Sequence, residues 1–369
     1  MKKDLKMEVK MQQAYIRNIS IFLLILSLSP SFLHAQIGWG QPVNCGPNIN
    51  TPDLEDGHCI SNDSAKFYFS SIRPEGSENP DIWVSEYSGG WQPAMNLGDS
   101  VNTELYEYDP FITRDGNKLY FDSDRLDGYG NFDIWVSEYV DGHWRPATNL
   151  SDINTGHHEM CPFISGDGLH LYFASDRTGG QGNMDIWVSE YSGGHWQPPV
   201  NMGANINSIQ TEYSPCLTPD SLTLYFASDR PGGYGYYDIM FSQKSGNVWQ
   251  PAINIGNIIN TANNDLCPYV SSNGMKLYFS TWERPGGYGT NDIWVSEWQG
   301  NVEENKAIKP AISGNIIPTV ITQSSQLPKD NKYKVITITG RIINPLNLVP
   351  GIYFLEQNGK IVQKFLMIR

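Results

Sequence analysis

Between residues 39 and 298, short apolar runs alternate with polar turns at a constant interval. The clearest example is Leu224-Tyr-Phe-Ala-Ser followed by Asp229-Arg-Pro-Gly-Gly-Tyr-Gly-Tyr-Tyr and then Asp238-Ile-Met-Phe-Ser. Apolar, aromatic-rich runs of four to eight residues bounded by turn residues predict strands covered on both faces. The Pro-Gly-Gly-Tyr-Gly between them predicts a hairpin, because glycine reaches positive φ without steric cost. The pattern returns five times. Asp-Ile pairs begin at Asp81, Asp133, Asp185, Asp238 and Asp292, and Trp-x-Pro segments begin at Trp39, Trp91, Trp144, Trp196 and Trp249. Each unit offers four strand candidates, which in the second copy are Asp109-Pro-Phe-Ile-Thr, Lys118-Leu-Tyr-Phe-Asp, Asp133-Ile-Trp-Val-Ser-Glu and His143-Trp-Arg-Pro-Ala.

A four-stranded repeat of this length predicts an all-β fold, a five-bladed β-propeller spanning residues 36–299. The fifth copy lacks its own Trp-x-Pro strand, and an orphan Trp39-Gly-Gln-Pro42 precedes the first. The N-terminal strand is therefore expected to complete the last blade and close the ring.

The flanks differ from the repeat. Lys2, Lys3, Lys6, Lys10 and Arg17 precede an apolar run, Ile19 to Leu28, and Ser-Phe-Leu-His-Ala35 follows it. The run is too short to span a bilayer and reads as a secretory signal over residues 1–35, with no later transmembrane span. Residues 300–331 carry no repeat and read as a linker or weak β region. Residues 332–369 form a separate C-terminal β segment.

Ile164-Ser-Gly-Asp-Gly-Leu-His-Leu-Tyr-Phe-Ala-Ser-Asp-Arg and Asp185-Ile-Trp-Val-Ser resemble the WD-like repeats of TolB-type propellers, over Trp39 to Trp298. That resemblance implies an interaction platform, and fold alone does not give function. Thr113-Arg-Asp-Gly departs from the sialidase Asp-box, since glycine directly follows the aspartate. Ile338-Thr-Gly-Arg-Ile-Ile-Asn and Pro350-Gly-Ile-Tyr-Phe-Leu-Glu-Gln-Asn-Gly-Lys resemble the C-terminal sorting domain of type IX secretion cargo. This implies passage through the periplasm, recognition by the type IX machinery, and a secreted or outer-surface product.

Composition narrows the partners. Of 369 residues 40% are apolar, 12% aromatic and only 17% charged, with 35 Gly and 23 Pro, which suits a turn-rich all-β chain. A net charge of -14 excludes nucleic acid, whose phosphates need clustered Lys and Arg. Cations, basic proteins and neutral glycans remain, and a monomer is expected. The five cysteines fit an oxidising compartment, with Cys45 and Cys59 the candidate disulfide and Cys161, Cys216 and Cys267 read as buried thiols.

Glu55, Glu107, Glu159, Glu212 and Asp265 each lie five residues after an Asn and just before an innermost strand. Symmetry would set these carboxylates around one channel mouth, rimmed by Tyr129, Tyr234 and Tyr288. Such a funnel suits a basic peptide, a sugar or a divalent cation such as Ca2+, although no cofactor is required. A second reading pairs each acid with the arginine of its own blade: Arg73, Arg125, Arg177, Arg230 or Arg284. Symmetry breaks at Gly57, Asp109, Cys161, Ser214 and Cys267, where Asp109 adds a second carboxylate two residues from Glu107. On an extended strand the two would share a face, as a glycosidase requires. His157-His158-Glu159-x-Cys161 does not read as a metal site, because adjacent histidines diverge and no second cluster completes it. No nucleophile elbow or phosphate loop is present. The reading is a secreted, non-catalytic binding propeller whose partner is an envelope protein or cell-surface glycan. The alternatives are a carbohydrate-active enzyme using Glu107 and Asp109, and a structural envelope protein.

Overall fold

The computed structural model describes residues 38–299 and, beyond them, the backbone strands Thr319–Ile321, Tyr333–Thr337, Ile342–Ile343, Gly351–Gln357 and Lys360–Met367. The expected signal over residues 1–35 lies outside the described residues.

The repeat folds as a five-bladed propeller. The innermost strands are Glu55–Ile60, Glu107–Ile112, Glu159–Ile164, Glu212–Leu217 and Asp265–Val270. Each pairs antiparallel with a second strand (Lys66–Ser71, Lys118–Ser123, His170–Ser175, Thr223–Ser228 and Lys276–Trp282) and that with a third, such as Asp81–Glu86 or Asp133–Val140. The apolar runs are covered on both faces because neighbouring blades stack on them. Leu119, Phe121, Leu171, Phe173, Leu224 and Phe226 have no exposed surface.

The fourth strand differs from the expectation. It lies just beyond Trp-x-Pro and is only two residues long: Met95–Asn96, Thr148–Asn149, Val200–Asn201 and Ile253–Asn254. In every blade the tryptophan instead folds back on the end of the third strand: Trp144 opposite Tyr139, Trp196 opposite Tyr191, Trp249 opposite Lys244, Trp91 opposite Tyr87 and Trp39 opposite Trp298. Proline cannot donate to a ladder, so pairing resumes only after it.

The ring closes as the sequence predicts. Val43–Asn44 pairs with the fifth blade's third strand, Val43 opposite Val295 and Asn44 opposite Trp294, while Trp39 bridges Trp298. Asn50 and Asn44 there reproduce the bonds that join other blades. Asn50 exchanges two hydrogen bonds with the Ile293 backbone, and Asn44 Nδ2 donates to Asp292 at 3.2 Å.

The expected Cys45–Cys59 disulfide does not form. Cys59 is buried between the first and second blades, where its sulfur accepts the Ile112 N–H at 3.2 Å, whereas Cys45 packs with Ile49, Trp91 and Ile293 in a different cluster. Being close in sequence does not bring two thiols together when each faces a different inter-blade cleft. Thr319–Ile321, within the segment read as a linker, pairs parallel with Lys360–Met367 in a sheet completed by Gly351–Gln357, Tyr333–Thr337 and Ile342–Ile343. The sheet thus reaches upstream of residue 332.

Candidate functional site

The repeated carboxylates are sealed inside the blades. Glu107 has no exposed surface. Its Oε1 accepts from Thr103 Oγ1 (2.7 Å), Ser123 Oγ (3.0 Å) and Arg125 (3.0 Å), and its Oε2 accepts the Thr103 N–H at 2.9 Å. Glu55, Glu159 and Glu212 repeat the arrangement with Thr51, Thr155 and Ser208, and with Arg73, Arg177 and Arg230 at 3.7, 2.9 and 2.9 Å. Each arginine also stacks on two rings or one; Arg125 lies 5.0 Å from Phe121 and 4.8 Å from Trp135. Burial pushes Glu55 and Glu107 above the usual carboxylate range, while the hydroxyl, amide and guanidinium donors pull them back. The acidic ring is therefore corrected: all five acids are fully buried and offer nothing to a ligand or to Ca2+.

The fifth blade departs from the rest. Asp265 bonds to Thr261 but, one methylene shorter, makes no ion pair with Arg284 among the described residues; Arg284 bonds instead to the Ile258 and Ile259 carbonyls. Burial raises Asp265 to about 6.

In four blades the Asp of the Asp-Ile pair (Asp81, Asp133, Asp238 and Asp292) ties its hairpin loop to the fourth-strand asparagine. Asp81 Oδ2 accepts the Ser77 N–H at 2.9 Å and the Asn96 side chain at 2.8 Å, and Asn96 in turn accepts from Asn102 at 2.8 Å. The fourth-strand asparagines Asn44, Asn96, Asn149, Asn201 and Asn254 were not singled out from sequence. Their recurrence before Leu-Gly, Leu-Ser, Met-Gly, Ile-Gly and Cys-Gly was the available signal.

Tyr129, Tyr234 and Tyr288 are exposed on the hairpin loops at 62%, 48% and 50%, as expected of a rim. His157 lies 3.6 Å from Asp176 and His158 stacks on Phe132, so neither joins Cys161 in a cluster.

Glu107 and Asp109 do not share a face of their strand. A β-bulge interrupts the strand between Tyr108 and Phe111, and Asp109 sits at φ +49°. The bulge turns Asp109 to the propeller axis while Glu107 stays inside its blade. Every blade has this bulge, with φ +25° at Gly57, +55° at Cys161, +53° at Ser214 and +50° at Cys267. The five residues converge: a Cβ on Gly57 would stand 2.3 Å from Asp109 Oδ1, so only glycine fits there. Asp109 Oδ2 lies 3.1 Å from Cys161 Sγ and its Oδ1 3.4 Å from Cys267 Sγ, while Asp56 Oδ1 accepts from Ser280 at 2.6 Å and Cys267 at 3.3 Å. Asp122, fully buried, accepts the Cys161 N–H at 2.9 Å.

Below this polar cluster lie Phe111, Phe163 and Tyr269, with Phe111 and Phe163 4.8 Å apart. They also border a funnel of ≈ 430 Å³ that opens among the turns joining first and second strands. Ile60, Ile112, Ile164, Leu217 and Val270 wall it, and Asn62, Arg114, Asp115, Lys118, Gly166 and Ser272 stand at its mouth. Sequence reasoning did not find this funnel, because it placed the ligand at the opposite end of the channel.

No protein-family model matches the chain, and no curated protein matches it. Among solved structures, TolB from Acinetobacter baumannii aligns with TM-score 0.43 and 15% identity, over 68% of this chain and 56% of its own. An α-L-arabinofuranosidase from Lactobacillus brevis aligns with TM-score 0.45 and 12% identity, over 68% and 91%. XC5397 of Xanthomonas campestris, a gluconolactonase, aligns with TM-score 0.42 and 13% identity, over 66% and 71%. This chain thus spans little more than half of the Acinetobacter TolB. TolB stands beside two different enzymes in that group, so no activity passes from it to this protein; what the chain has of its own is a five-bladed propeller with a polar axis and an aromatic-floored funnel.

Proposed function

We propose that the protein is a non-catalytic binding propeller of a bacterial envelope, exported to the cell surface, that takes a terminal group of its partner into the funnel. The observation that carries this reading is the ≈ 430 Å³ cavity itself, lined by aromatic rings and aliphatic side chains together with a few amide, hydroxyl and charged groups. A concave apolar site with a few convergent polar groups is the usual form of a ligand pocket. Its size and ringed floor suit the end sugar of a surface glycan, while the leader and tail read from the sequence support an outer location. The burial of Glu107 inside its blade supports the non-catalytic reading over the glycosidase one.

Gly166 stands at the mouth with open space where a Cβ would lie, so Gly166→Trp would plug the funnel without straining the turn. On a surface-glycan array, wild type should bind and Gly166→Trp should not, with Tyr129→Ala and Tyr234→Ala unchanged. Loss in the tyrosine variants alone would move the site to the hairpin face. Binding of an envelope protein but no glycan would replace the sugar with a protein partner. Released sugar that disappears in the Glu107→Gln, Asp109→Asn double variant would overturn the non-catalytic reading.

A further inference from the structure

We propose that the propeller axis holds one divalent transition-metal ion of the zinc class, bound by Asp109, Asp122 and Cys161. One donor atom from each of these residues lies within 4.8 Å of the other two. The three come from two blades and meet only because the bulges at Asp109 and Cys161 swing them to the axis.

Three independent features mark the place. First, Asp122 uses Oδ1 to hold the Cys161 N–H, while no N–H or hydroxyl reaches its buried Oδ2 and its carboxyl lies within hydrogen-bond reach of that of Asp109. A buried carboxylate oxygen with nothing to accept from is costly unless a cation or proton meets it. Second, Asp56, Asp109 and Asp122 gather on the axis, and no Lys, Arg or His pairs with any of them among the described residues. Third, a small cavity of ≈ 40 Å³, lined by Asp109 and Cys161 together with Ser214, Cys267, Phe111, Phe163 and Tyr269, adjoins the three donors. That exceeds the roughly 10–15 Å³ one water needs, so a water can stand beside an ion held there.

Symmetry sharpens the assignment. The positions equivalent to Asp122 are Ser70, Ala174, Ala227 and Ser280, and those equivalent to Asp56 are Tyr108, Met160, Tyr213 and Leu266. No blade-building role asks for an acid at either position. The donor set selects the ion: two carboxylates with a thiolate suit zinc, whereas calcium and magnesium take oxygen alone. Zinc with Zn–S of about 2.3 Å and Zn–O of about 2.1 Å sets tetrahedral sulfur and oxygen roughly 3.6 Å apart. Asp109 Oδ2 and Cys161 Sγ, at 3.1 Å, need to part only slightly. Cys267, against the other oxygen of Asp109, orients that carboxylate.

The test uses the full chain, stripped with chelator and kept reduced, and titrated with Co2+ as the zinc surrogate. The expected result is one equivalent bound, with thiolate-to-cobalt charge-transfer absorption that Zn2+ abolishes by displacement. Cys161→Ser should lose that absorption, Asp122→Asn should weaken binding, and Cys45→Ser should change neither. Should Cys161→Ser fail to fold, X-ray absorption on the zinc-loaded wild type decides: one sulfur at about 2.3 Å with oxygens at about 2.0–2.2 Å is expected. No stoichiometric uptake, an all-oxygen and nitrogen shell, or thiolate absorption that persists in folded Cys161→Ser would each overturn the proposal.

Discussion

Asp109 of the second blade and Cys161 of the third touch across the propeller axis, Oδ2 to Sγ at 3.1 Å, because each sits at a bulge with φ near +50°. On regular strands neither side chain would reach the axis. The same bulge that makes this contact removes Asp109 from the face of Glu107, so one backbone feature both separates the two carboxylates and creates a polar centre.

The repeated carboxylates should behave as structural groups. Arg125→Ala leaves Glu107 buried and unpaired, which for such pairs costs about 3 kcal/mol or more. For a domain of this size that lowers the melting midpoint by roughly 6–12 °C. Calorimetry should show the drop with and without any glycan ligand. A variant as stable as wild type would return the ring to the list of binding groups.

The fifth blade can be rebuilt to match the other four. There Thr281, fully buried and opposite Asp265, replaces the serine found at Ser71, Ser123, Ser175 and Ser228. The Asp265→Glu, Thr281→Ser double variant should restore the ion pair to Arg284 and raise the urea midpoint. Asp265→Glu alone should gain less or lose, since a methylene is then added to a packed site that keeps the threonine methyl the other blades lack.

Asp265 also sets a pH dependence. Its carboxyl is raised by burial from an ordinary 3.8 to about 6. Between these values the native state holds a proton that the unfolded state releases, so this group's contribution to stability falls as pH rises from about 4 to about 6. Two units correspond to about 3 kcal/mol at the upper end. Asp265→Asn keeps the acceptor for the Thr261 donors, and should flatten that part of the curve of unfolding free energy against pH. An unchanged slope would assign the dependence to another group.

Neither Cys45 nor Cys59 is in a disulfide, so a reducing agent should leave the melting midpoint where it is. Thiol titration in denaturant should count five free cysteines per chain. A Cys45–Cys59 peptide in a non-reducing digest would refute the unpaired state.

Closure by the N-terminal strand makes a further demand. Deleting residues 1–44 strips the third strand of the last blade of Val43–Asn44 and of the Asn44 bond to Asp292. The truncated chain should unfold at markedly lower urea. Adding a peptide of residues 37–50 in excess should recover part of the loss, as a ligand binding only the native state must.

Periodicity alone determined the blades, their number and the closing strand, because a run of apolar residues such as Leu224-Tyr-Phe can be covered on both faces only by stacking repeats. Repetition likewise made legible the pairing of Glu107 with Arg125, whose partners all come from one blade and its entry loop. What the sequence could not determine was the direction of single side chains at irregular backbone. Two residues apart on a strand means one face, and that rule places Asp109 beside Glu107; a bulge adds one residue to the count and reverses the outcome. Spacing could not show that Cys45 and Cys59 face different clefts, since blade packing decides which cleft a strand residue enters. Nor could it bring Asp122 to Asp109 and Cys161, or open a funnel beneath Phe111, Phe163 and Tyr269. These contacts join residues from several blades, and only the closed ring brings them within reach of one another.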